Sequence, residues 1–244
     1  MKAFILAAGL GTRLKPWTLE HPKALVPVGG VPMLERVIRQ LERQGFDYIV
    51  VNIHHFGEQI IDFLNSHTWQ ADIHISDERN ELLDTGGALV HAAPLLCKDN
   101  EPFLIHNVDI LSDAPLDELM KAHVATDAHA TLLVSQRASS RQLLFDNELY
   151  LRGWENINSG ERKGEPGEWP EKYAFSGIHV MSPALVAQMQ TEDLPNVFPI
   201  MDYYLSHTRA NRLRGYLSVS PINLIDIGKP DTLAKANVLF PIIV

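Results

Sequence analysis

Short apolar runs at residues 2–7, 48–53, 73–76 and 103–106 alternate with stretches of helical pattern at 33–44, 58–65 and 88–96. Strands separated in this way by helices are joined in parallel, because each crossover must return over the sheet before the next strand begins. The alternation predicts an α/β chain with a largely parallel sheet covered by helices. Within 33–44, Met33, Leu34, Val37, Ile38 and Leu41 share one helical face, and Gly45 supplies the stop.

The second half is patterned differently. Residues 130–135, 142–145 and 149–153 read as strands with no long helix between them, which predicts a small antiparallel subdomain. Residues 156–172 hold three Gly, two Pro and seven charged residues and almost no aliphatic side chains, so this stretch is expected to be a mobile loop. A strand at 175–181, helices at 185–189 and 200–206, a strand at 222–227 and a helix at 231–239 complete the pattern. With no repeat or linker in view, residues 1–244 are expected to form a single domain.

Composition removes several classes of function. A net charge of −9 argues against a nucleic-acid polymer as partner, since phosphate backbones reward a broad basic face. Cys97 is the only cysteine, so neither an intrachain disulfide nor a C-x-x-C centre can form. No apolar run approaches the roughly 20 residues of a membrane span, and the opening apolar run is too short for a secretory leader; a cytoplasmic chain is expected. The His54-His55 pair lies in a β-like stretch without metal-ligand spacing and reads as packing or surface.

Chemistry concentrates at residues 6–14, LAAGLGTRL. Gly9 and Gly11 follow a strand directly, where missing side chains let backbone N–H groups approach a phosphate. Arg13 adds a planar cationic fork. A tight turn would use the same two glycines, so the pattern alone leaves both readings open. It is not a P-loop, because no G-K-[ST] follows, and Leu14 occupies the position where a dinucleotide-binding G-x-G-x-x-G needs its third glycine. Pro16 and Pro22 restrict the backbone leading to Lys23, which could share phosphates with Arg13 or be a solvated lysine. Asp109 and Asp226, taken singly, could equally be capping carboxylates.

The stretch LAAGLGTRLKPWTLEHPKALVPVGGVPML resembles the signature of the sugar-1-phosphate nucleotidyltransferases, read as L-A-[AG]-G-x-G-[TE]-R followed by P-K-x-L-[LV]-P. The likeness continues through LLDTGGAL (82–89), HNVD (106–109), FSGIHV (175–180) and IDIG (225–228). It is similar to the short N-acetylmuramate-1-phosphate uridylyltransferases and the mannose-1-phosphate guanylyltransferases.

This resemblance implies a Rossmann-like three-layer α/β/α fold, the nucleotide-diphospho-sugar transferase fold, whose antiparallel subdomain binds the sugar. It implies a single nucleotidyltransferase domain over 1–244, with no C-terminal left-handed β-helix. The implied reaction joins a sugar-1-phosphate to a nucleoside triphosphate, UTP or GTP being favoured, and releases pyrophosphate. Arg13 would then bind the leaving β,γ-phosphates and Lys23 would bridge the α-phosphate and the incoming phosphate. Asp109 and Asp226 would hold Mg²⁺. Leu6, Ala7, Ala8, Gly9, Gly11, Thr12, Gly86, Gly87 and Asn107 complete the implied nucleotide site, with Ala8, Gly9 and the Gly86-Gly87 turn at the base. Gly177 marks the sugar pocket, and Arg141 and Glu155 are placed near it.

Three departures bear on the sugar: Val108 stands where the family has the Gly of N-G-D, residues 154–157 replace an E-K-P segment, and the 156–172 stretch is enlarged. Two other classes of function compete. A noncatalytic nucleotide-sugar-binding regulator could discard Arg13, Lys23 or an aspartate, yet all are present. A NAD-binding oxidoreductase leaves Pro22-Lys23 and the later aspartates unexplained.

Overall fold

β1 (Lys2–Leu6) lies inside the sheet because both its faces are apolar: Ala3 and Ile5 enter one core and Phe4 the other. In this computed structural model, which describes residues 1–240, β1 pairs in parallel with β4 (Tyr48–Ile53) and with β6 (Phe103–Asn107). β4 pairs in parallel with β5 (Asp72–Asp77). Beyond β6 the direction reverses: β12 (Glu171–Met181) runs antiparallel to β6, and β8 (Ala130–Ser135) antiparallel to β12. β13 (Leu213–Leu217) closes that side in parallel with β8.

Helices cover both faces. α1 (Met33–Arg43), α2 (Gly57–Asn65), α4 (Leu116–Val124) and α7 (Pro230–Leu239) pack on the side of Ala3 and Ile5. α3 (Asp84–Leu96), α5 (Pro183–Thr191) and α6 (Ile200–Ser206) pack on the side of Phe4. This is the expected three-layer arrangement. α1 buries Met33, Leu34, Val37, Ile38 and Leu41 as its periodicity requires, and Gly45 ends it in a left-handed conformation (φ +83). No described helix is long and apolar enough to cross a membrane.

Two short antiparallel pairs matter to the site: β2 (Pro27–Val28) with β3 (Val31–Pro32), and β7 (Ile110–Ser112) with β14 (Leu224–Asp226). A third antiparallel set, β9 (Arg141–Phe145), β10 (Leu151–Asn156) and β11 (Arg162–Gly164), extends from the first residues of β12 and forms the expected subdomain.

Residues 156–172 depart from the expected mobile loop. They carry β11 and the start of β12, and they are held by polar pairing rather than apolar burial. Glu165 bonds Arg152 and Arg209, Lys163 reaches Asp202, and the Asn156 N–H donates to the Glu161 carbonyl. The charges that made the stretch look soluble are paired, mostly with residues outside it. The third helix also starts earlier than its apolar pattern, at Asp84, so Gly86 and Gly87 lie in its first turn.

Candidate active site

The loop after β1 is fixed from below. The Asn52 side-chain oxygen, at the end of β4, accepts from the N–H groups of Ala7 (2.6 Å) and Ala8 (3.1 Å), and its amide donates to Glu78 Oε1 (2.9 Å). A buried amide satisfies two backbone donors that the end of the strand would otherwise orphan. Gly9 then stands open: a Cβ there would meet nothing within 4 Å. Gly11 is the opposite case. Its φ is +63, and a Cβ would come within 2.8 Å of Lys23 Cβ and 2.9 Å of Thr18 Cγ2, so the loop packs directly on the lysine stem. The Thr18 hydroxyl donates to the Gly11 carbonyl (2.9 Å) and fixes this approach.

Held in this way, Lys23 forms an ion pair with the Asp109 carboxylate, the two side chains only 13% and 18% exposed. Asp109 follows β6 and precedes β7. The Ile227 N–H donates to the Asp109 carbonyl (2.8 Å), and Asp226 pairs with Ile110 across the β7–β14 ribbon. Two carboxylates far apart in sequence therefore share one end of the sheet. Arg13, exposed after the glycine loop, joins them: a Cβ at Gly228 would lie 2.9 Å from Asp226 Oδ1 and 3.1 Å from Arg13 Nη2. A side chain at 228 would crowd that approach.

Lys23 and Asp109 edge a cleft of about 370 Å³ whose lining also includes Ala8, Gly9 and Asn107, with Arg13 and Asp226 outside that lining. Leu6 also lines it, Ala7 is buried beneath, and Thr12 is exposed in the turn that carries Arg13. Asn52, Glu78, Asp84, Thr85 and Val197 complete the wall, and sequence reading missed them. Asn52 could have been found as the lone amide in an apolar strand, VVNI. Glu78 is 2% exposed, and its Oε2 has no hydrogen-bond partner. Burial pushes its carboxyl above the usual range, with the Asn52 amide pulling the other way. A larger cleft, about 740 Å³, opens beside Lys2 and Tyr48 and contains none of the motif residues.

Gly86 and Gly87 lie behind the wall. Their N–H groups donate to the Phe198 carbonyl (2.8 and 3.4 Å). A Cβ at Gly86 would lie 2.2 Å from the Phe198 ring, and one at Gly87 2.1 Å from the Asn196 carbonyl. The pair lets the 196–198 segment close over the helix start.

On the other side, Gly177 (φ +73) sits where the β12–β8 register shifts, and a Cβ there would be 3.0 Å from Asn107 Nδ2. Gly177 is thus brought to the end of β6. Glu155, buried on β10, accepts from Lys172 (2.9 Å) and Arg162 (3.2 Å). Lys172 above all, then Arg162, holds its carboxyl below the usual range against the effect of burial. Arg141 is exposed at the start of β9, opposite Asn156, and its side chain makes no hydrogen bond to Glu155 or Gly177.

The family model described as nucleotidyl transferase matches residues 2–143, from β1 through the Lys23–Asp109 pair into β9. The chain belongs to the nucleotidyl transferase family. Among family relatives, a mannose-1-phosphate guanyltransferase of Yarrowia lipolytica is 31% identical over 187 residues, 76% of this chain and 50% of the relative. The mannose-1-phosphate guanyltransferase of Pichia angusta is 31% identical over 248 residues, 98% of this chain and 64% of the relative. The chain thus spans half to two thirds of the length of these two relatives. The fold is that of HddC from Yersinia pseudotuberculosis complexed with GMP-PN, with a TM-score of 0.77, 23% identity, and coverage of 98% of this chain and 99% of that one.

Proposed function

We propose that this chain is a sugar-1-phosphate nucleotidyltransferase, acting as one catalytic domain over residues 1–244 in the cytoplasm. An oxygen of the sugar-1-phosphate attacks the α-phosphorus of a nucleoside triphosphate, the bond to the β-phosphate oxygen breaks, and pyrophosphate leaves. The nucleophile is already anionic, so alignment and charge neutralisation can carry the reaction without a general base. The observation that carries this reading is the convergence of Lys23, Arg13, Asp109 and Asp226 beside a glycine loop with open space at Gly9.

Arg13 would neutralise the leaving β,γ-phosphates. Lys23 would exchange its bond to Asp109 for the α-phosphate and the incoming phosphate. Asp109 and Asp226 suit Mg²⁺, a hard ion that takes one or two carboxylates and fills its shell with water and phosphate. When bound, the ion would supply charge stabilisation on the transferring phosphates.

Glu78 favours GTP over UTP. Glu78 lines the cleft, and an ionised carboxyl only accepts. Guanine offers adjacent N1–H and N2–H donors, whereas uracil offers one N–H flanked by two acceptors. The names of the relatives, guanyltransferases, and the GMP-PN complex of HddC point the same way. Gly177 with Glu155 and Lys172 would line the sugar side, and mannose-1-phosphate is the first sugar to try.

Mixing the protein with Mg²⁺, each nucleoside triphosphate and a panel of sugar-1-phosphates, then measuring pyrophosphate, tests the reading. Release with GTP and a sugar-1-phosphate is expected. Silence across the panel, with nucleotide still bound, would replace it with the regulatory reading.

A further inference from the structure

The cleft beside the glycine loop is charged differently at its two ends. The parallel strands beneath it lie side by side in the order β6, β1, β4, β5, so their carboxyl ends form a rim of about 14 Å, three strand spacings. Open space at Gly9 follows β1, and Asp109, paired with Lys23, follows β6. The segment after β5 supplies the other end of the lining, with Glu78, Leu82, Asp84 and Thr85. Both ionisable groups there are carboxylates, and Lys23 is the one cation lining the cleft among the described residues. A triphosphate is repelled from the acidic end and drawn to the lysine, which leaves the acidic end to the base.

The two carboxylates are not equally open. Glu78 is 2% exposed and holds the Asn52 amide, whereas Asp84 is exposed. Asp84 Oδ1 accepts from the Thr85 N–H (2.6 Å), and Oδ2 makes no hydrogen bond or ion pair among the described residues. Asp84 is also the one described non-glycine lining this cleft with a left-handed backbone, φ +58. That conformation is unfavourable for a residue with a Cβ and persists only where neighbouring contacts hold it. Here they do: the Ile200 N–H donates to the Thr85 hydroxyl (2.9 Å), and the Gly86 N–H to the Phe198 carbonyl (2.8 Å). Glycine would take the same turn without strain, so the backbone does not call for a carboxylate at this position.

We propose that Asp84 is a specificity-determining residue that accepts a hydrogen bond from the 2-amino group of a guanine base, an assignment that rests on the transferase reading and its preference for GTP. The guanine amino nitrogen carries two hydrogens. Glu78 takes the one beside N1–H, and Asp84 Oδ2 takes the other. Uracil has no amino group to offer, and its carbonyl oxygens would be repelled by a second carboxylate.

Calorimetric titration of the full chain with GTP and with ITP, in Mg²⁺ and without sugar-1-phosphate, tests this, because ITP differs only in lacking the 2-amino group. GTP is expected to bind about tenfold or more tighter than ITP, as one charge-assisted hydrogen bond implies. Asp84→Gly should cut that ratio about tenfold by weakening GTP and leaving ITP nearly unchanged. Asp84→Asn should cut it less, since the amide oxygen still accepts. Neither variant should melt lower, because glycine and asparagine both tolerate the left-handed turn. Equal binding of GTP and ITP by the wild type, a ratio that Asp84→Gly leaves in place, or equal weakening of both nucleotides overturns the assignment while the transferase reading stands. A lower melting temperature with an unchanged ratio would make Asp84 a residue of the helix start alone. Binding of UTP but of neither purine nucleotide would overturn the GTP preference and this assignment together.

Discussion

Lys23 and Asp109 form an ion pair at the edge of the cleft beside the glycine loop, and the lysine stem is clamped there by the left-handed Gly11. A largely buried pair of this kind holds the lysine in position while leaving its charge available to a stronger anion. On the proposed function, the same contact would balance the Asp109 charge until a metal and phosphates compete for both partners.

Lys23→Ala should therefore lower pyrophosphate release by about 10²–10³, the range for removal of one donor aimed at developing charge. The fold should persist, since the Asp109 left behind lines an open cleft where water can solvate it. Pyrophosphate release close to wild type in a folded variant would contradict the assigned role.

Asp226→Asn should raise the Mg²⁺ concentration needed for half-maximal rate while nucleotide binding without metal changes little. Titration of activity with Mg²⁺ against nucleotide binding in chelator separates the two. An unchanged Mg²⁺ requirement would remove Asp226 from the metal.

Glu78→Gln replaces an acceptor pair with one acceptor and one donor, a set that pairs with uracil as well as with guanine. The ratio of kcat/KM for GTP over UTP should fall by about 10–100-fold, the discrimination of roughly one or two hydrogen bonds. Stability has its own sign. Burial raises the native carboxyl above its unfolded value, so stability falls as pH climbs from the unfolded value through the raised one, and the glutamine variant should melt higher at neutral pH. A lower melting temperature with unchanged base preference would count against both parts.

Gly9→Ala and Gly87→Ala should separate binding from folding. A methyl at Gly9 meets nothing in the protein, so stability should hold while nucleotide affinity falls. A methyl at Gly87 would meet the Asn196 carbonyl, backbone that cannot rotate aside, and should cost about 1–3 kcal/mol in denaturant unfolding. Equal effects of the two on stability would refute the distinction.

Acid should unfold the protein through its buried histidines. Burial lowers His106 and His123 from 6.5 to about 4 and His179 to about 3. Between 6.5 and those values the unfolded chain holds protons that the native state does not, so stability is full above 6.5 and falls as pH drops toward 4 and 3. His179 has no hydrogen-bond partner and packs edge-on to Tyr204, so His179→Leu should flatten part of that slope. Melting curves from pH 7 to pH 4 check this; an unaltered slope would exclude His179 as a contributor.

The β1, α1 and β4 segments were legible in sequence because their signals are local: an apolar run at strand length, a five-residue apolar face on a helix, and a glycine stop. The glycine loop, Lys23 and the two aspartates were legible only as motifs in order, since each residue alone fits an ordinary capping or surface role. Residues 156–172 misled because composition reports what a segment cannot bury and is silent on which charges will meet. Glu155 finds Arg162 and Lys172 only once β10, β11 and β12 are side by side.

By itself the sequence determined the alternation that makes a mainly parallel sheet, together with the glycine loop, lysine and aspartates that the proposed function rests on. Tertiary structure alone decided that Asp226 reaches Asp109 through the β7–β14 ribbon, and that Asn52 and Glu78 carry the loop and wall of the cleft. It also gave the Gly86-Gly87 pair its place beneath Phe198. The reason is physical: strand periodicity and turn chemistry are short-range properties of a chain, whereas strand pairing and close backbone approach join residues that no local pattern relates.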